Sequence, residues 1–416
     1  MPFALYLLGL AVFAQGTSEF MLSGLGPDIA QDLGVSLSAA GALTSAFAVG
    51  MVVGAPLTAV LSMRWDKRPA LLLFLGVFLA VHVAGALTTS FGLLLVLRVV
   101  GALANAGFLA VALTAAAGMV APDAKGRATS VLLGGVTLAC VIGVPAGAWT
   151  GQLLGWRAAF WAVALLCVPA VIGILHAVPA DRDKDRDEDR DKEVVRVGVR
   201  REAGALRDAR LRLTLLLGAL VNGATFCTFT YLAPLVTHVS GLGEGRVPVV
   251  LALFGAGSFV GVAVGGRIAD VRPVPLLVGG GLVLAGGWVL LAFAAGRPVA
   301  VLVLVFVQGA LSFAVGSTLI SQVLYAAGRA PHLAGAFATA AFNVGAAVGP
   351  WAGGLALGAG LGFRAPVWVS AALVAAALVA AALVSAAAGR RVWRARAEAE
   401  PVVDTPEGGG EVAGKI

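Results

Sequence analysis

The stretch Pro298–Gly328, PVAVLVLVFVQGALSFAVGSTLISQVLYAAG, decides the fold class because it contains no Asp, Glu, Lys or Arg. A helix needs about 20 predominantly apolar residues to cross the hydrocarbon core of a bilayer. Unbroken runs of Leu, Val, Ala and Gly also lack the alternation of β-barrel strands, so the stretch predicts a membrane helix. Four more stretches share the absence of charge: 33–63, 128–156, 213–243 and 365–389.

The composition of the whole chain agrees with these stretches. Of the 416 residues, 59% are hydrophobic and 12% are charged, and the mean hydropathy is +0.95. A soluble domain has about 25% charged residues, so an ordinary soluble protein is excluded. Division at charges, prolines and glycine turns predicts twelve spans: 3–27, 39–62, 70–88, 92–117, 128–150, 157–178, 212–237, 247–267, 273–295, 298–322, 333–358 and 365–388. No cleavage site of small residues follows span one, so we expect span one to belong to the helix bundle and not to be a signal peptide.

The positive charges predict the orientation of the chain. With both termini in the cytoplasm, the opposite loops hold only Arg157, Arg246, Arg297 and Arg364. The cytoplasmic loops would then carry Arg64, Lys67, Arg68, Lys125, Arg127, Arg267, Arg272 and Arg329. This asymmetry follows the positive-inside rule and accounts for the net charge of +7 without a nucleic-acid partner. We therefore expect a multi-pass plasma-membrane monomer that needs the lipid bilayer.

Two halves flank a charged segment. Residues 181–193, DRDKDRDEDRDKE, contain eight acids, five bases and no apolar residue, which is typical of a disordered tether. The arginines that follow either lie on anionic lipid or simply mark a cytoplasmic loop. We predict a six-helix bundle over 1–178, a linker over 179–211, a second bundle over 212–388 and a disordered tail over 389–416. An internal repeat supports this division, because GVPAG at 143–147 in span five corresponds to GPWAGG at 349–354 in span eleven.

Glu19 and Arg98 are the residues most indicative of function. A charge in hydrocarbon costs several kcal/mol, so an ionisable residue within a span marks a functional site. Glu19 lies eight residues from Pro27 and Arg98 six from Gly92, which at 1.5 Å per residue gives similar depths of roughly 12 and 9 Å. The pair is either a structural ion pair or a proton- or substrate-handling carboxylate with its arginine partner, whose protonation would change as the cation or substrate moves. Neighbouring polar residues on the same two spans are Gln15, Ser23 and Asn105.

Other residues extend this polar patch or suggest moving parts. Gly143, Pro145 and Gly147 predict a kinked, pliable span five between the halves, or else a close helix contact. Arg64, Asp270 and Arg272 lie at loop ends where they could latch the cytoplasmic side, although Asp270 could also be a plain loop charge. Amides in the second half are either cavity donors or interhelical bonds: Asn222, Gln308, Gln322 and Asn343. We expect His82 to be a packed neutral histidine, and the cysteines to be packing residues: Cys140, Cys167 and Cys227.

Several common motifs are absent from the sequence. There is no G-x-x-x-x-G-K-[ST] phosphate loop, no H-E-x-x-H and no G-x-S-x-G. Neither an arginine-periodic voltage sensor nor a carbonyl filter is present. We therefore expect a protein that is not an enzyme, with no cofactor and no metal.

The motifs on residues 3–388 resemble the major facilitator superfamily, an all-α fold of twelve transmembrane helices in two pseudo-symmetric six-helix bundles. The segments LRVVG at 97–101 and GVPAG at 143–147 are similar to the span-four arginine motif and the antiporter signature of its twelve-span drug:proton antiporters. The segments GTSEFMLSGLGPDIA at 16–30, WRAAFW at 156–161 and FNVG at 342–345 are most similar to actinobacterial chloramphenicol efflux proteins.

The resemblance implies a role for Arg98 in proton coupling and for Gly143, Pro145 and Gly147 in the signature. The loop after span two departs from the family pattern. Ala59, Met63 and Asp66 stand where Gly, Asp and Gly are usual, whereas the second half keeps Gly266 and Asp270.

The resemblance and the polar patch together predict a proton-driven exporter of small amphipathic drugs, chloramphenicol foremost, that confers antibiotic resistance. A sugar, nucleoside or metabolite exporter of the same fold is the nearest alternative. A membrane receptor or scaffold is an alternative of another class, and it would have no need of Glu19 or Arg98.

Overall fold

The computed structural model describes residues 2–61, 66–121, 125–177, 202, 204–269, 272–327 and 333–399. The predicted tether at 181–193, together with Arg64 and Asp270, lies outside these residues. Within them, twelve helices are long and apolar enough to cross a membrane. The predicted fold class of twelve transmembrane helices is confirmed.

Nine spans are single long helices, and spans one, five and seven are interrupted. The single helices are Leu37–Leu61, Lys67–Leu87, Phe91–Gly118, Trp156–Ala177, Val247–Ala269, Pro273–Ala294, Pro298–Ala326, Ala334–Gly358 and Ala365–Ala399. The interrupted spans are Phe3–Phe20 with Leu22–Asp32, Lys125–Leu138 with Val144–Leu154, and Ala209–Thr230 with Leu232–His238. Spans one and seven break at corresponding places in the two halves, at Met21 and Tyr231, as an internal repeat predicts.

Proline explains two of the interruptions. Pro234 has no N–H to donate to the carbonyl of Thr230, and the first helix of span seven ends at that residue. Pro145 likewise has no N–H for the carbonyl of Val141, which lies in a π-helical turn over Ala139–Gly143. A π turn widens the helix by one residue and so accommodates the missing hydrogen bond. The sequence predicted a kinked helix or a close helix contact here, and the structure contains a π turn at this place.

Several helix ends differ from the predicted span bounds, and two of the differences have a local cause. Span seven begins at Ala209, because the Asp208 side chain caps it by accepting from the N–H groups of Arg210 at 2.7 Å and Leu211 at 3.4 Å. The helix of span twelve continues to Ala399, eleven residues beyond the predicted span end at 388, although its membrane-crossing part is Ala365–Ala386. Its last residues are mainly Ala and Arg, which are strong helix formers even outside an apolar stretch.

Among the described residues, the hydrophobic core contains two large clusters, one for each six-helix half, and two smaller ones. The first cluster extends from Leu5 to Ile174 and belongs to spans one to six. The second belongs to spans seven to twelve but also includes apolar residues of the first half, which therefore pack across the interface: Phe20, Ala48, Cys140, Val144 and Ala148. Large apolar side chains such as Trp149 and Leu383 are more than half exposed on the outer surface, as expected for residues in contact with lipid.

The first and last described residues, Pro2 and Ala399, lie at one end of the bundle, since twelve crossings separate them. We call this end the terminal face, and the opposite end is the distal face. The loop at 33–36 and Gly155 lie at the distal face, because each follows one outward crossing from the N-terminus or from the loop after span four. The three cysteines are buried and unpaired. Their environment agrees with their predicted role as packing residues.

Candidate functional site

Arg98 on span four is buried inside the helix bundle. Its side chain is 3% exposed, and its Nη1 donates a hydrogen bond to Ser18 Oγ at 2.9 Å. The guanidinium carbon lies 4.3 Å from the centre of the Phe47 ring, a cation–π contact with span two. Two further nitrogen atoms, Nε and Nη2, are buried without a hydrogen-bond partner. Arg98 therefore retains donors for an additional acceptor.

The hydroxyl of Ser18 connects Arg98 to His82 on span three. His82 Nε2 lies 2.6 Å from Ser18 Oγ, and His82 Nδ1 lies 2.7 Å from the carbonyl oxygen of Phe78. The imidazole packs between Phe78 and Phe160, with ring centres 4.2 and 5.7 Å away. The sequence predicted a packed histidine. The structure adds that this histidine belongs to the hydrogen-bond chain that holds Arg98.

Glu19 is the next residue after Ser18 and lies within electrostatic range of Arg98. The two do not form an ion pair in this structure. Among the described residues, the ion pair lies between Asp32 and Arg157. This conformation therefore does not contain the structural Glu19–Arg98 ion pair that the sequence analysis gave as one alternative.

The neighbouring amides of the first half differ in their surroundings. Gln15 lies one helical turn before Glu19, is 1% exposed, and has no hydrogen-bond partner for either amide atom. Asn105 Nδ2 lies 3.6 Å from the sulfur of Met51. A buried amide with both atoms unpaired is costly, so Gln15 is the side chain here best able to receive a polar ligand or water. Ser23, on the same span, is also buried.

In the second half, the amide nitrogens bond to backbone carbonyls. Asn222 Nδ2 donates to the carbonyl of Phe342 on span eleven at 2.7 Å. Of the two roles predicted for Asn222, this contact is the interhelical hydrogen bond. Asn343 Nδ2 donates within its own helix to Thr339 at 2.9 Å. The remaining two amides are Gln308, whose Nε2 donates to Leu284 at 3.1 Å, and the half-buried Gln322.

The glycines of span five pack against the turn of span one that carries Glu19. A Cβ on Gly143 would lie 2.0 Å from Thr17 Oγ1, and one on Gly147 would lie 3.3 Å from the Cβ of Met21. Pro145 lies between them, just after the π turn. The other side of this turn faces span eight of the second half, where a Cβ on Gly255 would lie 2.2 Å from the carbonyl oxygen of Cys140. The signature thus lies between Glu19 and the interface of the halves.

A row of aromatic rings crosses that interface beside Glu19. Phe20 contacts Phe226 and Phe229 of span seven, with ring centres 5.6 and 6.4 Å apart. Phe229 lies 4.6 Å from Phe254 of span eight, which lies 6.3 Å from Phe313 of span ten. Offset and edge-on packing of this kind forms an apolar, polarisable wall. The sequence analysis did not identify it, since phenylalanine alone gives no sign of which helix face it occupies.

Hydrogen bonds between the two halves lie in the distal part of the described structure. Ser38 Oγ donates to the carbonyl of Gly354 at 2.8 Å, and Ser45 Oγ to that of Ala347 at 2.7 Å. Gln152 Nε2 donates to the carbonyl of Glu244 at 2.6 Å. We call this set of contacts the distal seal, and it holds the distal face closed.

Tyr231 fills a slot between the halves within the distal seal. Its hydroxyl donates to the carbonyl of Pro350 at 3.0 Å, and the side chain is 3% exposed. Gly41 and Gly354 line the slot, because a Cβ on either would lie 2.0 or 2.6 Å from the Tyr231 hydroxyl oxygen. Only glycine on both walls leaves room for this ring.

Acidic residues surround the distal seal. Asp32 accepts hydrogen bonds from Arg157 and from Trp156 Nε1, and these donors lower the pKa of its carboxyl. Partial burial, and to a smaller extent the nearby Glu244, raise the pKa of Asp28. Asp28 and Glu244 belong to different halves, so their like charges oppose one another across the seal.

Of the predicted latch at the terminal face, the structure describes Arg272, which is exposed. Arg64 and Asp270 lie outside the described residues, and the latch stays a prediction. The residues missed by the sequence analysis are Ser18 and the ring of Phe47. Counting residues along the helices could have linked His82 to Arg98. His82 lies five residues from the distal end of span three at Leu87, and Arg98 lies seven residues from the distal end of span four at Phe91.

Comparison with known proteins identifies the family. The sequence model of the Major Facilitator Superfamily matches residues 8–340. The chain is 57% identical over 374 residues to the chloramphenicol resistance protein of Streptomyces lividans, covering 90% of this chain and 94% of that one. It is 32% identical to the inner membrane transport protein YdhP of Escherichia coli (strain K12), covering 87% and 90%.

Solved structures agree on the fold. A bacterial homolog of the human lysosomal transporter Spinster, in an inward-facing and occupied conformation, superposes with a TM-score of 0.70 at 17% identity. The match covers 91% of this chain and 94% of that chain.

Proposed function

Because this chain belongs to the Major Facilitator Superfamily, we propose that it is a proton-driven antiporter that exports small, neutral, amphipathic drugs, with chloramphenicol as a substrate. The 57% identity to a protein named for chloramphenicol resistance supports the substrate. Export of such a drug from the cell confers antibiotic resistance. The orientation follows from the loop charges, with both termini in the cytoplasm. One chain supplies both halves of the transport pathway and acts as a monomer.

The observation that carries the proposal is a buried arginine with two unused donors close to Glu19. Arg98 is bound to Ser18 and not to Glu19 in this structure. A carboxyl group that is free of its arginine partner can hold a proton without leaving a charge in the membrane interior. When the proton leaves, the carboxylate attracts the guanidinium, whose forked donors suit a carboxylate. Proton gain and loss at Glu19 therefore exchange one partner of Arg98 for another.

The aromatic row supplies the substrate contact. Phe20 follows Glu19 directly and touches Phe226 and Phe229 of the other half. A drug with a neutral aromatic ring packs against such a wall, and the unpaired amide of Gln15 supplies a hydrogen bond to its hydroxyl groups. A substrate that inserts between these rings separates the halves at the level of Glu19. Substrate binding and protonation thus act on the same turn of span one.

Transport requires the distal seal to open. With both termini cytoplasmic, the distal face is the outer face, and a closed distal seal is the arrangement expected of a state that receives drug from inside. The interrupted span five lies between Glu19 and span eight, and the π turn before Pro145 is a site where a helix bends at low cost. Bending there transmits rearrangement around Glu19 to the contacts between the halves.

The purified protein in proteoliposomes provides the test. An imposed pH gradient should drive accumulation of labelled chloramphenicol against its concentration gradient, and a protonophore should abolish it. Labelled pentoses and nucleosides in the same vesicles test the alternative substrates. Accumulation of those solutes with no movement of chloramphenicol would refute the drug assignment, and accumulation that survives the protonophore would refute proton coupling.

A further inference from the structure

We propose that Ser18 and His82 are positioning residues for transport: together they hold the Arg98 guanidinium away from Glu19 and release it when Glu19 loses its proton. This proposal rests on the proposed antiport function, whose coupling residues are Glu19 and Arg98. It adds two residues, on spans one and three, that neither the family motifs nor the comparisons assign.

The hydrogen bonds in this chain have a fixed direction. The Phe78 carbonyl can only accept, so His82 Nδ1, 2.7 Å away, must carry a proton. In the neutral ring Nε2 is then an acceptor, and the Ser18 hydroxyl, 2.6 Å away, donates to it. Once its proton is committed to His82, the Ser18 oxygen presents its lone pairs to Arg98 Nη1 at 2.9 Å. His82 thereby makes Ser18 an acceptor at the place where Arg98 needs one.

The packing keeps this chain rigid. Phe78 and Phe160 lie on either side of the imidazole, and the Ser18 side chain is completely buried. Because the ring cannot turn freely, the tautomer and the direction of the chain persist. The arginine is the more mobile member, since its Nε and Nη2 have no partner and its other contact is the face of Phe47.

Two acceptors therefore compete for one cation. Ser18 and Glu19 are consecutive on a helix, so their side chains project about 100° apart, and Arg98 must turn from one toward the other. A neutral hydroxyl holds the guanidinium when Glu19 is protonated, and a carboxylate outcompetes it when Glu19 is ionised, because hydrogen bonds between charged groups are about twice as strong. The ionisable groups near this cluster are Glu19, His82, Arg98 and the thiol of Cys140 on span five, while span six contributes the uncharged Phe160.

Removal of the Ser18–His82 chain should leave Arg98 permanently on Glu19. Proton-driven accumulation would then fall by about tenfold or more, the size expected when a hydrogen bond to a charged group is lost. Exchange of labelled for unlabelled drug across the membrane needs no net proton movement and should persist. The pH dependence of the remaining transport should move to lower pH, since a carboxylate held by arginine is harder to protonate.

Four variants test the transport part of the proposal. Ser18→Ala removes the acceptor, His82→Phe keeps the aromatic packing without Nε2, and His82→Gln keeps an acceptor near the position of Nε2. Ser370→Ala is the matched control, because Ser370 is a fully buried hydroxyl in the second half that bonds Thr228 at 2.7 Å. We expect uphill accumulation to be lost in Ser18→Ala and His82→Phe, largely kept in His82→Gln, and unchanged in Ser370→Ala. The Ser18→Ala/His82→Phe double variant should be no worse than Ser18→Ala alone.

Other results would overturn the proposal. Normal uphill accumulation in Ser18→Ala would show that Arg98 needs no holding group. Normal accumulation in His82→Phe together with loss in His82→Gln would show that His82 acts through packing alone. Strictly additive losses in the double variant would show that His82 does not act through Ser18.

A measurement that needs no substrate separates failure of this proposal from failure of the proposed function. The chain has four histidines, so ¹⁵N-histidine labelling gives few signals, and His82→Phe assigns the one of interest. We expect His82 in the parent protein to be protonated at Nδ1 and unprotonated at Nε2, with the Nε2 signal shifted in Ser18→Ala. If the parent does not accumulate chloramphenicol, the drug assignment fails while this spectrum still tests the chain. A ring protonated at Nε2 alone would overturn the proposed direction. If His82→Phe fails to insert, His82→Gln supplies the same assignment.

Discussion

Substitution of Gly41 by alanine should open the distal seal, and the size of the effect follows from the slot that holds Tyr231. A Cβ at residue 41 would lie 2.0 Å from the tyrosine hydroxyl oxygen and 2.6 Å from the ring carbon that bears it. Ordinary contact begins near 3.4 Å, so the ring and span two must separate by about 1.4 Å, and overpacking of this kind forces side chains from their rotamers and shifts the backbone. The hydrogen bond to Pro350, now 3.0 Å, does not survive such a shift of the ring.

The energetic cost falls on one conformation only. Overpacking costs about 1–3 kcal/mol, and a buried hydroxyl without a partner costs about 1–3 kcal/mol. Taking the lower end of each range gives about 2 kcal/mol, or about a 30-fold change in population. Gly41 and Tyr231 belong to different halves, so an open distal face separates them, and the Tyr231–Pro350 bond, which lies within one half, is regained. Gly41→Ala therefore disfavours the closed state by about 30-fold relative to the open one.

The distance between spin labels at residues 154 and 361 measures this shift. Leu154 and Leu361 lie at the distal face in opposite halves and are 75% and 69% exposed, whereas the native cysteines are buried. Gly41→Ala should move the distance distribution toward longer values. Gly26→Ala is the control, since a Cβ there meets nothing within 4 Å. A Gly41→Ala distribution identical to that of the parent and of Gly26→Ala would refute the reasoning about the slot.

Three further predictions follow from other contacts. Arg98→Lys should lose proton-driven transport although the charge is kept. An ammonium group that bonds Ser18 has no second set of coplanar N–H donors to offer another acceptor, as a guanidinium has. Normal drug accumulation at matched expression would contradict this. Glu202→Ala should lower the unfolding free energy by about 1 kcal/mol, since the Glu202 carboxylate accepts from the N–H of Leu333 at 3.0 Å, at the start of span eleven; an unchanged melting temperature would exclude this capping role. Asp32→Asn should leave stability near pH 7 almost unchanged, because an exposed ion pair contributes little. The Arg157 and Trp156 contacts lower the pKa of Asp32. The stabilisation that they give is therefore present above the unfolded-state pKa of Asp32 and is lost as the pH falls through the lower folded-state pKa. Thermal melts of parent and variant should converge in acid, and a growing difference there would contradict this.

The spans could be predicted because the bilayer imposes length and charge limits on every helix. The charge-free stretch Pro298–Gly328 requires a membrane helix whatever its neighbours are, and the helix Pro298–Ala326 is found there. A kink at Pro145 could also be predicted, since the missing N–H is a local property. The helix of span twelve continues past the predicted span limit of 388, because charge marks the limit of the apolar stretch and not the limit of the helix.

The partners in the candidate site could be predicted less well. Counting residues along a span gives the depth of Glu19 and Arg98 but not the rotation of each helix, and rotation decides that Arg98 meets Ser18. Asn222 illustrates the same limit. The close approach of Gly223 in span seven to Gly345 in span eleven brings a backbone carbonyl within reach of the Asn222 amide, and no pattern within either span indicates that contact.

Substrate-induced proton release from the purified protein tests the central claim, that Glu19 exchanges its proton when drug binds. The parent in weakly buffered detergent solution near pH 7, with a pH-sensitive dye, should release protons on addition of chloramphenicol. Glu19→Gln should bind the drug and release none, because the amide keeps the size of the side chain and cannot titrate. Glu244→Gln, which removes an exposed carboxylate at the distal face, should release protons like the parent. Equal proton release from Glu19→Gln and the parent would contradict the claim.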